Sequence, residues 1–322
     1  MKYDLVIIGS GAAGLAAALY AGRYKMTTLV IAGEFGGETS TAGSIENYPG
    51  VKAIDGYDLM KIMKEQAQAV GAEIKDGKVV KIERMNGGCK VTTEEGDVYE
   101  TRAVILATGS RRRHLNLPNE KELTGRGVHY CWTCDGPLYG GKTVAMVGGG
   151  DSSVKGVNFL AEYAKKIYLI VRGNAVHAEP VNEERMKNLG DKVEVLLEHE
   201  VKEIVAAPKG GEPRPEGRGE KMLEKLVLSS PKHELDELVL DGLFIEVGFD
   251  PDRTFAEQLG LELDEKGYMK VDNMMRTNTP GVFAAGDATT HFGGFKQDIT
   301  AAAMGAVAAT AAYEYLGSLE KK

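Results

Sequence analysis

The chain opens on an unbroken apolar run, Leu5-Val6-Ile7-Ile8, followed at once by Gly9-Ser10-Gly11 and an alanine-rich stretch. A run that is apolar at every position predicts a strand buried on both faces, as in a parallel sheet, rather than a half-exposed strand. Residues 12–23 predict a helix opened by the glycine loop, and residues 28–32 the next strand, which together make a βαβ unit. Residues 79–83, 89–93 and 98–100 predict a small antiparallel insertion, with a turn at Asn86-Gly87-Gly88. Residues 103–107 predict a strand running into Thr108-Gly109. A second βαβ pattern then appears, with strands at 143–147 and 166–171 around a helix at 152–163. Further strands are expected at 193–197 and 226–228, and the Pro-, Gly- and charge-rich stretch 207–219 reads as a long hairpin loop. Residues 243–248 and 282–286 are the last strands, and 300–316 the terminal helix. The expected fold is α/β, with two Rossmann-like nucleotide-binding domains of three-layer ββα type, the second inserted in the first.

Length agrees with that division, since 322 residues exceed what one compact core holds. The net charge of -8 argues against nucleic acid as a partner. Met1-Lys2-Tyr3 runs straight into the first strand, leaving no room for a signal peptide. Residues 299–312 are apolar but too short and glycine-interrupted to span a membrane, so a cytoplasmic protein is expected. Of the three cysteines, Cys89 lies in a strand-like run and reads as a buried structural thiol. Cys131-Trp132-Thr133-Cys134 is open to more than one reading. A zinc site needs further ligands; His129 could supply a third, but no other pair has the spacing. In a reducing compartment such a CxxC is more often catalytic than structural.

The dithiol stands between two dinucleotide fingerprints, Gly9-x-Gly11-x-x-Gly14 and Gly148-x-Gly150-x-x-Ser153. Glycines there let backbone amides approach a pyrophosphate at the helix N-terminus, where the helix dipole favours anions. Glu34 lies near the distance of an acid that binds a ribose hydroxyl, and reads equally as a turn residue. Two nucleotide loops and one dithiol suggest an electron relay from pyridine nucleotide through flavin to a disulfide.

The ordered set Gly9-Ser10-Gly11-Ala12-Ala13-Gly14, Ile45-Glu46-Asn47-Tyr48-Pro49-Gly50, Ala107-Thr108-Gly109, Cys131-x-x-Cys134-Asp135-Gly136, Gly148-Gly149-Gly150-Asp151 and Gly281-Val282-Phe283-Ala284-Ala285-Gly286-Asp287 resembles the low-molecular-weight thioredoxin reductases over nearly the whole chain. The resemblance implies an FAD-binding domain of residues 1–114 and 247–322. It implies an NAD(P)H-binding-type domain of residues 115–246 that carries the dithiol. On the FAD side it points to Gly9, Gly11, Ala12, Ala13, Gly14, Glu34, Gly37, Glu38, Asn47, Thr108, Gly109, Gly286, Asp287, Lys296, Gln297 and Asp298. Asp287, ending a strand, would accept hydrogen bonds from the ribityl chain, and Asn47 and Gln297 would lie near the isoalloxazine. The second nucleotide site would use Gly148, Gly150, Asp151, Ser152, Ser153 and Arg172. By the same resemblance Cys134 faces the flavin and Cys131 is the interchange thiol for a thioredoxin-like protein. Asp135 is then the general acid and base, or else a turn residue before Gly136. A homodimer is also implied.

The chain departs from the family pattern at several positions. Members that use NADPH carry HRRxxxR after the second strand of the inserted domain, and here the run is Val171-Arg172-Gly173-Asn174-Ala175-Val176-His177. One arginine survives; a glycine and an imidazole replace the others, so grip on a 2′-phosphate should suffer. Lys155 reverses a charge near where a nicotinamide ribose would lie, and reads otherwise as a solvated lysine. Glu38 and Asp298 stand where the family has uncharged residues; a carboxylate near the flavin would lower its potential, unless the side chain points to solvent. Trp132 occupies a position usually filled by a small residue. The leading expectation is an FAD-dependent reductase of thioredoxin-like disulfides, its donor NADPH by family, or NADH, ferredoxin or another reduced carrier. The alternatives are an FAD-dependent dithiol oxidase using oxygen, and a flavin-bound sensor without turnover. The intact Cys-Asp pair argues against the sensor.

Overall fold

A computed structural model describes residues 2–208, 221–230, 236–293 and 295–320. The chain divides into two compact units, residues 1–111 with 250–322, and residues 112–249, so the second interrupts the first. The two crossings lie three residues outside the sequence-derived boundaries, at 111/112 rather than 114/115 and at 249/250 rather than 246/247. Among the described residues the helices are α1 (Ala12–Arg23), α2 (Gly56–Ala69), α3 (Trp132–Asp135), α4 (Asp151–Leu160), α5 (Pro180–Lys187), α6 (Thr254–Leu259) and α7 (Asp298–Glu320). None of them is long and apolar enough to cross a membrane.

In the first unit the strands Glu73–Asp76, Thr28–Phe35, Tyr3–Ser10, Val98–Leu106 and Val282–Ala284 run parallel. The sheet is buried on both faces, as its apolar runs predict. Leu5, Ile7, Ile105 and Phe283 meet Leu15, Ala17, Ala308 and Ala312 of α1 and α7 on one side. Val6, Ile8, Leu29, Ile31, Val104 and Leu106 meet Val79, Ile82 and Val91 of an antiparallel ribbon on the other. Each fully buried Val, Leu, Ile or Phe among them contributes about 1.5–3 kcal/mol.

The ribbon corrects one expectation. Residues 98–100 and 103–107 are not two strands but one, Val98–Leu106. Its first half pairs antiparallel with Gly88–Thr93, and its second half pairs parallel with Tyr3–Ser10. The polar residue at the crossing, Thr101, is fully buried, and its hydroxyl donates to the Ala103 carbonyl, so the strand passes without an unsatisfied group.

The second unit repeats the plan. Strands Val128–His129, Gly242–Ile245, Thr143–Val147, Lys166–Val171 and Val193–Leu197 form a parallel sheet. Val154, Val157 and Leu160 of α4 cover one face, with Phe244 and Met146 beneath. Ile204, Leu223, Leu226 and Leu228 of an antiparallel ribbon cover the other. That ribbon joins Glu200–Pro208, Lys221–Ser229 and Asp236–Val239. Most of the loop expected at 207–219 lies outside the described residues.

Candidate active site

The first glycine loop sits at the end of the Tyr3–Ser10 strand. Gly11 caps α1 with no side chain bonded to the helix amides, and no acid stands in the first turn. Those N–H groups are available to an anion. A Cβ at Gly14 would lie 1.9 Å from the Gly9 carbonyl oxygen, so only glycine lets α1 start so close to the strand. Ala12 and Ala13 are buried in the first turn. The Ser10 hydroxyl donates to the Glu34 carbonyl and accepts the Gly36 amide, both at 3.2 Å, which ties the loop to the next strand's end. The Glu34 side chain is exposed and lines a cavity of about 420 Å³ with Asp76, Lys78, Glu94 and Glu95.

Asp287 lies three residues beyond the Val282–Ala284 strand rather than at its end. Pairing stops where the Ala285 amide donates to Leu106, and Gly286, at φ 82°, turns the chain away. Burial pushes the Asp287 carboxyl up to about 6; Lys296 opposes this, while the negative charges of Asp298 and Glu38 add to it. The Lys296 ammonium donates to the Thr289 carbonyl (2.7 Å) and lies 4.5 Å over the Tyr268 ring. The Thr39 hydroxyl donates to Asp298 (2.5 Å), and the Asn47 amide to Gln297 (2.9 Å), so the structure pairs two of the expected residues directly. Glu38 stands in the 3₁₀ turn Gly37–Thr41. The Thr108 hydroxyl points to the Asp252 carbonyl at 3.4 Å, and Gly109 has φ 64°. An open amide-lined helix start and a largely desolvated carboxylate fit a dinucleotide such as FAD, with phosphate at α1 and hydroxyl donors at Asp287.

The second loop has the same shape and different chemistry. Gly150 caps α4 without a side-chain bond, and a Cβ at Gly148 would lie 2.1 Å from the Glu246 carbonyl oxygen. Ser153, in place of the third glycine, is fully buried and donates to that same carbonyl (3.2 Å). Ser152 is exposed. The Asp151 carboxylate accepts the Glu179 amide and the Asn182 side chain, both at 2.9 Å, and pairs with Lys155 at 3.0 Å. Burial alone would raise this carboxyl; those hydrogen bonds and the Lys155 charge outweigh it and hold it below the usual range. The lysine is therefore neither free in solvent nor aimed away from the loop. Downstream, the His177 amide donates to the Gly149 carbonyl (2.7 Å), drawing residues 173–177 along the loop. Arg172, Gly173 and His177 are all exposed. A guanidinium cluster, the usual clamp for a ribose 2′-phosphate, is missing from this segment.

Cys131 and Cys134 are joined by a disulfide, with Cα atoms 5.3 Å apart. Cys131 caps α3, and its sulfur accepts the Cys134 amide and the Thr133 hydroxyl, both at 3.2 Å. It is half-buried, whereas Cys134 is exposed. Cys89 is free and buried, and burial raises its thiol pKa. Trp132 packs toward α4, 5.4 Å from the Phe159 ring; a Cβ on Gly156 would approach the indole to 3.0 Å. Asp135 meets a residue considered earlier only as a third metal ligand. His129 Nδ1 lies 2.9 Å from Asp135 Oδ2, and His129 Nε2 lies 2.6 Å from the Tyr139 hydroxyl. Neither His129 nor Tyr139 was singled out for this role. His129 lies six residues before Asp135, on a strand, and Tyr139 four residues after it, but α3 ends at Asp135 and a 3₁₀ turn follows, so no single helix or strand period pairs the three.

The pattern of the pyridine nucleotide-disulphide oxidoreductase family matches residues 3–309. Thioredoxin reductase of Streptomyces clavuligerus is 39% identical over 321 residues, covering 98% of this chain and 94% of that one. Among solved structures, Lactococcus lactis thioredoxin reductase matches with a TM-score of 0.90 at 34% identity, covering 98% of this chain and 100% of that one. A ferredoxin-flavin thioredoxin reductase from Clostridium acetobutylicum matches at 0.51 with 33% identity, covering 99% of each. With glycine loops, dithiol and near-complete coverage in agreement, the chain belongs to the pyridine nucleotide-disulphide oxidoreductase family, among its thioredoxin reductases, and is a flavin-dependent oxidoreductase.

Proposed function

We propose that the chain reduces the disulfide of a thioredoxin-like protein, with FAD held by the first unit and the Cys131–Cys134 pair as the exchanging dithiol. The observation that carries this is the disulfide itself, set beside a carboxylate, in a unit that also holds a nucleotide-type loop. FAD, when bound, accepts a hydride and passes on an electron pair. In the first unit, α1's amides would hold its pyrophosphate and Asp287 would accept hydrogen bonds from its hydroxyls.

The chain's own groups divide the thiol chemistry. Once reduced, the Cys131 sulfur still faces the Cys134 amide and the Thr133 hydroxyl, two donors that favour a thiolate. That thiolate attacks the partner's disulfide, forming a mixed disulfide and releasing one partner sulfur. Cys134 then loses its proton to Asp135 and attacks Cys131's sulfur. The intramolecular bond re-forms and the partner leaves as a dithiol. Asp135 hands that proton to the departing partner sulfur, and the sulfur released first takes a proton from water in place of the one Cys131 gave up on ionising, so two electrons and two protons pass to the partner.

The donor is read from the second loop. Its glycine cradle suits a pyrophosphate, while the lost arginines remove the means to favour a 2′-phosphate. NADPH is therefore bound weakly, leaving NADH or a protein carrier of the ferredoxin kind as competing donors. Anaerobic stopped-flow bleaching of the flavin with NADPH and NADH separates these. Fast bleaching by either names a nucleotide donor; no bleaching, with photoreduced flavin still opening the disulfide, points to ferredoxin or another non-nucleotide donor, or to the oxidase. Oxygen uptake driven by a small dithiol alone would instead support the oxidase. The cysteine roles are tested by trapping: Cys134→Ser should hold oxidised thioredoxin as a mixed disulfide and Cys131→Ser should not. The reverse pattern exchanges their roles, and no trapping by either overturns the protein-disulfide reading.

A further inference from the structure

His129 and Tyr139 are buried polar side chains that the exchange described above leaves idle. We infer that His129, braced by Tyr139, positions Asp135 for proton transfer at the dithiol; this rests on the proposed reductase chemistry and deepens it. His129 ends the edge strand Val128–His129, paired with Phe244 of the adjacent Gly242–Ile245 strand. Its ring stacks on Phe244 at 5.3 Å and 28°, and meets the Tyr139 ring edge-on at 5.4 Å. The imidazole plane is therefore set by packing before any hydrogen bond is counted. Gly242 clears the space for Tyr139: a Cβ there would lie 2.3 Å from the tyrosine ring. The site is built around these rings.

One arrangement of the hydrogens satisfies all three groups with a neutral ring. Burial first, then the negative charges of Asp135 and Asp241, push the Tyr139 phenol up to about 12, so it keeps its proton. The phenol donates to His129 Nε2, which leaves the ring hydrogen on Nδ1, donating to Asp135 Oδ2. Asp135 is one residue beyond Cys134 in α3, a helix of a single turn, so little else restrains its rotamer. His129 is the one side chain paired with its carboxylate among the described residues. When the S–H of Cys134 gives its proton to Asp135, the S–S bond to Cys131 forms and the partner's sulfur departs with the electron pair. His129 stays a hydrogen-bond donor to Asp135 throughout.

The test uses the full-length holoprotein, reduced anaerobically with dithiothreitol, desalted and mixed with 5,5′-dithiobis(2-nitrobenzoate). The first thionitrobenzoate released reports attack by Cys131, and the second reports ring closure by Cys134; buried Cys89 is silent on this timescale. Asp135→Asn should slow the second release about 100-fold. His129→Ala should slow it about 10-fold while changing the first release little. His129→Asn, whose amide nitrogen falls near Nδ1, should recover most of the rate, which a purely structural role would not grant. Tyr139→Phe should give a smaller loss of the same kind. The Asp135→Asn/His129→Ala double variant should be no slower than Asp135→Asn alone, because the histidine acts through the carboxylate. Multiplying effects, or equal slowing of both releases, would overturn the inference. Should His129→Ala fail to retain flavin, the same cycle with Tyr139→Phe decides. If Asp135→Asn itself leaves the second release untouched, the proton role of Asp135 falls instead.

Discussion

The two glycine loops are copies of one strand–loop–helix unit put to different use. At α1 the helix start is bare: glycine cap, alanines in the first turn, no acid. At α4 an aspartate stands in the first turn and is held by Lys155, Asn182 and the Glu179 amide. An anion arriving at α1 meets only donors, while one arriving at α4 meets a fixed negative charge beside them. On the function proposed above, the first loop would keep its dinucleotide and the second would bind one more weakly.

The largest expected effect breaks the first loop. Gly14→Ala places a methyl 1.9 Å from the Gly9 carbonyl, a clash with backbone that overpacking costs of about 1–3 kcal/mol understate. The purified protein should be colourless or fail to fold. Gly150→Ala has nothing within 4 Å of its new methyl and a φ of -93°, so it should remain folded and yellow. Flavin absorbance per chain reads both, and equal loss in the two variants would erase the contrast.

A smaller effect restores what the second loop lacks. Gly173 is exposed and has room for a side chain, with the closest atom to an added Cβ in ordinary contact at 3.7 Å. Gly173→Arg with His177→Arg should tighten NADPH by about tenfold or more, from charge-assisted hydrogen bonds of about 1.5–3 kcal/mol, and leave NADH unchanged. Calorimetric titration measures this. No gain would place the obstacle at the Lys155–Asp151 pair.

The smallest effect concerns Asp287. Its folded carboxyl titrates at about 6 against an ordinary 3.8, so the fold binds that proton more tightly than the unfolded chain does. The contribution is fully present below 3.8 and is lost as pH rises through about 6. Flavin-free Asp287→Asn should therefore melt higher than the flavin-free parent at neutral pH, by about 1–2 kcal/mol after allowing for solvent screening. Its melting temperature should also change less over that interval. Parallel curves for parent and variant would contradict the sign.

Much of this frame is legible along the chain because close backbone approach admits few residue types. Gly9, Gly14 and Gly148 are dictated by a neighbouring carbonyl and announce the loops without any structure. Other features depend on partners distant in sequence. Thr101-Arg102 looks like a break between strands, yet the hydroxyl of Thr101 finds the Ala103 carbonyl and one strand serves both layers. The α2 helix carries its own signals, Asp55 accepting the Tyr57 amide and Leu59, Met60, Met63 and Ala67 on the buried side. They pass unread beside the louder glycine motifs. His129 is hardest of all, because a histidine near cysteines suggests a metal until the ring is seen stacked on Phe244.

Trp132 has one more consequence. It is the chain's sole tryptophan, it stands between the two cysteines, and its indole rests beside Phe159 in the notch that Gly156 leaves on α4. Disulfides quench indole emission at short range and thiols do so less. The protein therefore carries its own optical gauge of dithiol state, and its ultraviolet fluorescence should brighten as the pair opens and dim as it closes.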